Sequence, residues 1–188
     1  MPVRSELNTN MPRIRFWNRC AYIRIVAATL FCWLIAGAAA HAQNYQRDIN
    51  EQVWKPFIKS FDNLDADAFL SLHSKDLVRS GRESNQVLNW NDYLNQQRAG
   101  DKRYKDEGTR RTIQLRFTER LANASQAIDV GIYQTSNIGK DGVSRSFYGR
   151  FHVVLRLENG TWKILVDTDS SEGGTMSEKD FLAAKPME

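Results

Sequence analysis

Asn159-Gly160 lies between two runs of alternating apolar and polar residues, 146–158 and 161–169, and no other feature narrows the possible folds so far. Both residues tolerate positive φ, which a type I′ turn requires at both central positions, so the runs are expected to form a hairpin with a two-residue loop. The loop sets the register. On one face it places Leu157 opposite Trp162, Leu155 opposite Ile164, Val153 opposite Val166 and Phe151 opposite Thr168. On the other it places Arg156 opposite Lys163, Val154 opposite Leu165, His152 opposite Asp167 and Arg150 opposite Asp169. The first face suits a core, and the second is mostly polar.

The formal charge of +4 would suggest an acidic partner, but the N-terminus carries it. Arg4, Arg13, Arg15, Arg19 and Arg24 precede an apolar run over 25–37, and Ala40-His41-Ala42 puts small residues at the two positions a signal peptidase reads. Residues 1–42 therefore read as a secretory signal peptide, with cleavage expected between Ala42 and Gln43 and an exported, periplasmic or secreted bacterial product. The alternative is an uncleaved anchor, for which the run is short against the roughly 20 residues of a span. No stable membrane anchor is expected after cleavage.

Cleavage would remove five of the 26 basic residues and one of the 22 acidic ones. The remaining domain is near neutral and has no nucleic-acid footprint. Cys20 and Cys32 would leave with the signal, so the domain is expected to lack disulfides, thiol nucleophiles and thiolate metal sites. A domain of about 150 residues can hold itself by its core alone, and one domain is expected over 43–170.

Along that domain, Ile49, Val53, Phe57 and Phe61 recur at helical spacing, with a kink expected at Pro56. Asp65 suits the N-cap of a second helix carrying Phe69, Leu70 and His73. Residues 77–80 and 86–88 form a short ribbon, and Asn89 or Asn91 caps a third helix with Trp90, Tyr93 and Leu94. The charged stretch 98–108 reads as a fraying helix end and a solvated loop. Beyond Gly108 the period becomes two: Ile113, Leu115 and Phe117, then Ile128, Val130 and Ile132 alternating with Asp129, Gly131 and Tyr133, then the hairpin. Residues 171–188 read as a polar tail trailing over the surface. Helices segregated from an antiparallel meander make an α+β fold.

The order of these elements resembles the nuclear transport factor 2-like superfamily, particularly exported polyketide-cyclase-like and ketosteroid-isomerase-like domains. The resemblance rests on Val53-Trp54-Lys55-Pro56-Phe57, on Asp65 through Phe69 and His73 to Asp76, on Tyr148-Gly149-Arg150, and on Gly160-Thr161-Trp162-Lys163-Ile164 with Asp167. It implies three N-terminal helices packed on a strongly curved, mainly antiparallel sheet, forming a cone with an apolar pocket at its wide end. The superfamily includes isomerases, cyclases, dehydratases and epoxide hydrolases, so fold leaves function open.

His152 and Asp167 are the sharpest chemical pair, since an oriented imidazole is a general base; facing outward, they would be a surface ion pair. His73 and Asp76 are the other candidates, though a helix-end histidine and a carboxylate that ties down the turn into Leu77 are the preferred readings of the two. No metal-ligand spacing, phosphate loop or nucleophile elbow is present, and neither metal nor cofactor is expected. Trp54, Phe57, Phe61, Phe69, Trp90, Tyr93, Phe117, Tyr133, Tyr148 and Phe151 are the candidate pocket residues. These residues favour a binder of a small apolar molecule without an evident catalytic constellation; the alternatives are a lyase or isomerase acting on a small carbonyl compound, and a module dimerising through the sheet face around Val154 and Leu165. No carboxylate falls on the inward face of the meander in this register.

Overall fold

The computed structural model describes residues 44–187; the expected signal segment, its expected cleavage site and both cysteines lie outside them. Helix α1 runs through 44–62 and contains a π-helical turn, Asn50–Trp54, before the α-helical Lys55–Asp62. Pro56 has no N–H to give the Gln52 carbonyl. The helix accommodates it by widening just upstream, where Lys55 N–H reaches back to Asn50. Asp65 caps α2 (Ala66–Ser71) by accepting from Ala68 N, and Asn89 caps α3 (Trp90–Glu107) by accepting from Asp92 N. The stretch 98–108 is thus not a loop: α3 continues to Glu107 and stops at Gly108, whose φ of 61° closes a left-handed cap.

The strands are β1 (His73–Gly81), β2 (Gln86–Leu88), β3 (Arg110–Ala122), β4 (Gln126–Ile138), β5 (Ser144–Glu158), β6 (Thr161–Ser170) and β7 (Lys185–Pro186). They form one sheet in the order β2-β1-β6-β5-β4-β3-β7. Every pairing is antiparallel except β1 with β6. Helices α1, α2 and α3 cover its inner face around Ile49, Trp54, Phe69, Leu70, Leu155, Trp162 and Ile164, all nearly or fully buried. Burial of each such side chain is worth roughly 1.5–3 kcal/mol. Among the described residues no helix is long and apolar enough to cross a membrane.

The tail does not trail. Ser177 and Asp180 form a capping box for α4 (Glu178–Ala183), and β7 pairs with β3. Phe181 packs with Ile132 and Ala184 in a second, smaller apolar cluster. That cluster lies on the outer face of the sheet, because β4 turns its Ile128, Val130 and Ile132 row away from the core. The inward row of β4 is Ala127, Asp129, Gly131 and Tyr133, opposite Leu155, Val153, Phe151 and Gly149.

Two bulges decide which charged residues face inward. In β3 the pairing slips between Phe117 and Glu119, so Arg120 lies opposite Asp129 and meets it on the inner side at 3.0 Å. In β6 the expected hairpin register holds from Glu158↔Thr161 to Leu155↔Ile164 and then slips, Val154 pairing with Val166. Leu165 is the extra residue. Because side chains alternate, one extra residue turns everything beyond it to the opposite face. Asp167 therefore pairs with Val153 and Asp169 with Phe151, both among core residues, while His152 faces Thr168 and is exposed. The expected His152–Asp167 and Arg150–Asp169 pairs do not form.

Candidate functional site

The slip in β6 assembles a polar cluster at the wall of a cavity of about 380 Å³. Asp167 and Asp169 stand two residues apart on β6 and share the guanidinium of Arg79 on β1. Arg79 Nη2 donates to Asp169 Oδ2 at 2.7 Å, and its Nε lies 3.6 Å from Asp167 Oδ2. A second bond from Arg79 Nη1 to the Asp167 carbonyl, 3.3 Å, fixes the guanidinium against the strand. His73, the first residue of β1, is buried on the other side of Asp167. Its Nδ1 donates to the Phe69 carbonyl at 3.0 Å, and its Nε2 lies 3.7 Å from Asp167 Oδ2 with no hydrogen-bond partner. Phe69 and Tyr93 flank the imidazole, with ring centroids 5.1 and 5.6 Å away.

The two carboxyls differ in environment. Burial by itself pushes the Asp167 carboxyl up, but Arg79 and His73 outweigh it and hold it below the ordinary carboxylate value. Asp169 goes the other way: burial raises it, Arg79 offsets only part of the rise, and the charge of Asp167 adds to it. Burial works against the charge of Arg79 as well, yet the neighbouring carboxyls stabilise that charge and the guanidinium holds its proton more tightly than usual. Burial and the nearby carboxylates also push up the Tyr93 hydroxyl, and push Tyr133 up to about 12, so both keep their protons at neutral pH. Tyr133 reaches this wall because it crosses Gly149 on the neighbouring strand; a Cβ there would meet the Tyr133 hydroxyl at 2.3 Å.

Trp54, Phe57, Phe61, Phe69, Tyr93, Tyr133 and Phe151 of the expected set line this cavity, and three of the set do not. Trp90 donates its indole N–H to the Leu70 carbonyl beneath Lys75. Phe117 packs edge-on against Trp54 and Phe151 in the core and lines a different cavity, between α1 and β3. Tyr148 lies on the outer face, packed on Phe181, its hydroxyl accepting from Gln134. Of the chemical candidates, His73 and Asp167 come together. His152 lies on the outer face, and Asp76 is exposed, paired with Arg156 at 2.7 Å.

The sequence reading missed Arg79 and Asp169 as partners in this site. A signal was present: Ile164-Leu165-Val166 is an unbroken apolar run, where strict alternation has already failed. It also missed Arg111, which lines the cavity at the start of β3. Its Nη2 donates to Asp101 at 2.6 Å while its guanidinium stacks 3.9 Å over Phe61. Among the described residues no group of three or more His, Cys, Asp or Glu side chains is placed to hold a metal ion.

The sequence matches no family model and no curated protein. Its fold, by contrast, recurs in solved structures. A protein of the nuclear transport factor 2-like type with a cystatin-like fold, from Novosphingobium aromaticivorans, is 12% identical, with a TM-score of 0.58 over 90% of this chain and 96% of that one. A nuclear transport factor 2-like superfamily protein from Salmonella enterica serovar Typhimurium is 17% identical, with a TM-score of 0.55 over 68% and 91%. A ketosteroid isomerase-like protein from Erwinia carotovora is 14% identical, with a TM-score of 0.51 over 65% and 92%. The chain has the nuclear transport factor 2-like fold.

Proposed function

We propose that the cavity takes one small, largely apolar molecule bearing a carbonyl or hydroxyl group and exchanges a proton with it. One observation carries this reading. Two carboxyls, one held below and one raised above the ordinary range, share Arg79 at the wall of an aromatic-lined cavity. Neighbouring groups whose environments drive their proton affinities apart divide the labour of acid and base. Asp167, ionised, takes a proton from the carbon beside a carbonyl. Asp169, which keeps its proton to higher pH, gives one to the carbonyl oxygen. Return of the proton to a neighbouring carbon is an isomerisation, and departure of a leaving group is an elimination. The leader-like segment at 1–42 supports placing this activity outside the cytoplasm.

Deuterium exchange from D₂O into a panel of small cyclic ketones, followed by proton NMR, tests the step itself. The protein should catalyse exchange, and Asp167→Asn and Asp169→Asn should each slow it by roughly 10²-fold or more. Ketones that bind without exchanging would leave a passive carrier and remove the proton transfer.

A second reading concerns the outer face of the sheet. The register aligns Leu121, Ile128, Val154, Val166 and Val78 across β3, β4, β5, β6 and β1, an apolar stripe whose two ends are 55% and 47% exposed. A continuous stripe of this kind favours a second copy of the chain as its cover. Val154→Glu should then convert a dimer to a monomer in light scattering. A wild-type monomer at all concentrations would remove this reading.

A further inference from the structure

We propose that the mouth of the cavity reads a negative charge, so that the molecule it takes is a small organic anion with an apolar body and its charged end at Arg103. This rests on the cavity being a binding site and says which class of molecule it takes. Helix α3 supplies the rim: Gln96, Gln97, Gly100, Arg103 and Tyr104 lie along one helical face, with Gln96 and Arg103 exposed. Gly100 stands in the interior of an 18-residue helix, where glycine is unfavourable, and a Cβ built there meets nothing within 4 Å. The missing side chain leaves a gap in the rim.

Charges decide the orientation of what passes through it. At the inner wall two carboxyl groups face one guanidinium, Arg79; the charge of Asp167 alone cancels it, even with Asp169 protonated, which leaves no net positive charge to receive an anion. Arg111, buried in the lining, is neutralised by Asp101. Arg103 has no ion pair among the described residues and lies beside Tyr104, its Cζ 5.6 Å from the ring. It is therefore the uncompensated cation of the lining. A molecule with an anionic end must enter with its apolar part first and keep the charge at the rim, beside Arg103.

Two dyes with the same aromatic body separate the parts of this proposal: 8-anilinonaphthalene-1-sulfonate, and N-phenyl-1-naphthylamine, which lacks the sulfonate. Fluorescence titration should show the sulfonate binding more tightly, with an advantage that shrinks at high salt. Arg103→Gln should cut the sulfonate's affinity roughly three- to tenfold relative to the neutral dye, and Arg103→Lys should restore part of it. Gly100→Leu should weaken both dyes by closing the gap. An affinity ratio unchanged in Arg103→Gln overturns the charge reading and leaves the cavity standing. Failure of both dyes to bind, or full binding of both to Gly100→Leu, overturns the cavity reading and this proposal with it.

Discussion

Replacing Asp167 by asparagine keeps the outline of the side chain and removes its charge. At 3.6 Å from Arg79 Nε, with an effective dielectric constant of about 20, the lost attraction is about 5 kcal/mol. Release of a buried carboxylate from its desolvation offsets several kcal/mol of that. Arg79 also keeps its hydrogen bond to Asp169 at 2.7 Å, and loss of the Asp167 charge lets Asp169 ionise more readily, so the cation keeps a partner. The net expected cost at neutral pH is about 1–3 kcal/mol. The pH dependence has a definite sign. The Asp167 carboxyl is held below its ordinary value when folded, so its contribution is complete above the unfolded value of about 4 and is lost as pH falls through the folded one. Urea denaturation of both proteins at several pH values should show the full gap at pH 7 and a closing gap below about pH 4. A variant as stable as the wild type at pH 7 would mean an outward, solvated carboxylate worth about 0–1 kcal/mol, and would refute the reasoning.

Trp162→Ala should cost roughly 3–5 kcal/mol in the same assay, because Trp162 is buried opposite Leu157 in the core; a small change would reverse the face assignment. His152→Ala should change stability by less than about 0.5 kcal/mol, since His152 is exposed and has lost Asp167 as a neighbour. Phe181→Ala should destabilise by about 3 kcal/mol and expose α4 to limited proteolysis, because Phe181 anchors the C-terminal segment on Ile132. Tyr133→Phe should leave stability nearly unchanged while slowing ketone exchange, since the hydroxyl held to about pH 12 is a proton donor at the cavity wall.

The features fixed by local chemistry were legible in the sequence. Asn159-Gly160 adopts positive φ at both positions, Asp65 and Asn89 cap their helices, and the aromatic stripe of α1 faces the sheet. What escaped the sequence reading depends on one residue too many. The mark of the bulge is the unbroken apolar run Ile164-Leu165-Val166, but each of its residues suits either face, so the run does not say which of them is extra. Its consequence is large: both carboxylates of the site reverse direction. The charged stretch of α3 and the polar C-terminal segment escaped for a different reason. Their helices are set by terminal devices, the left-handed Gly108 and the Ser177–Asp180 box, rather than by a broad apolar stripe.

The central claim is that Leu165 is a bulge and that Asp167 faces the cavity. Cross-strand nuclear Overhauser contacts between β5 and β6 read this register directly. Backbone contacts should link Asp167 to Val153 and Val166 to Val154, with Leu165 unpaired. Contacts linking Asp167 to His152 and Leu165 to Val154 would restore the unbroken two-residue register, turn both carboxylates outward and contradict the account.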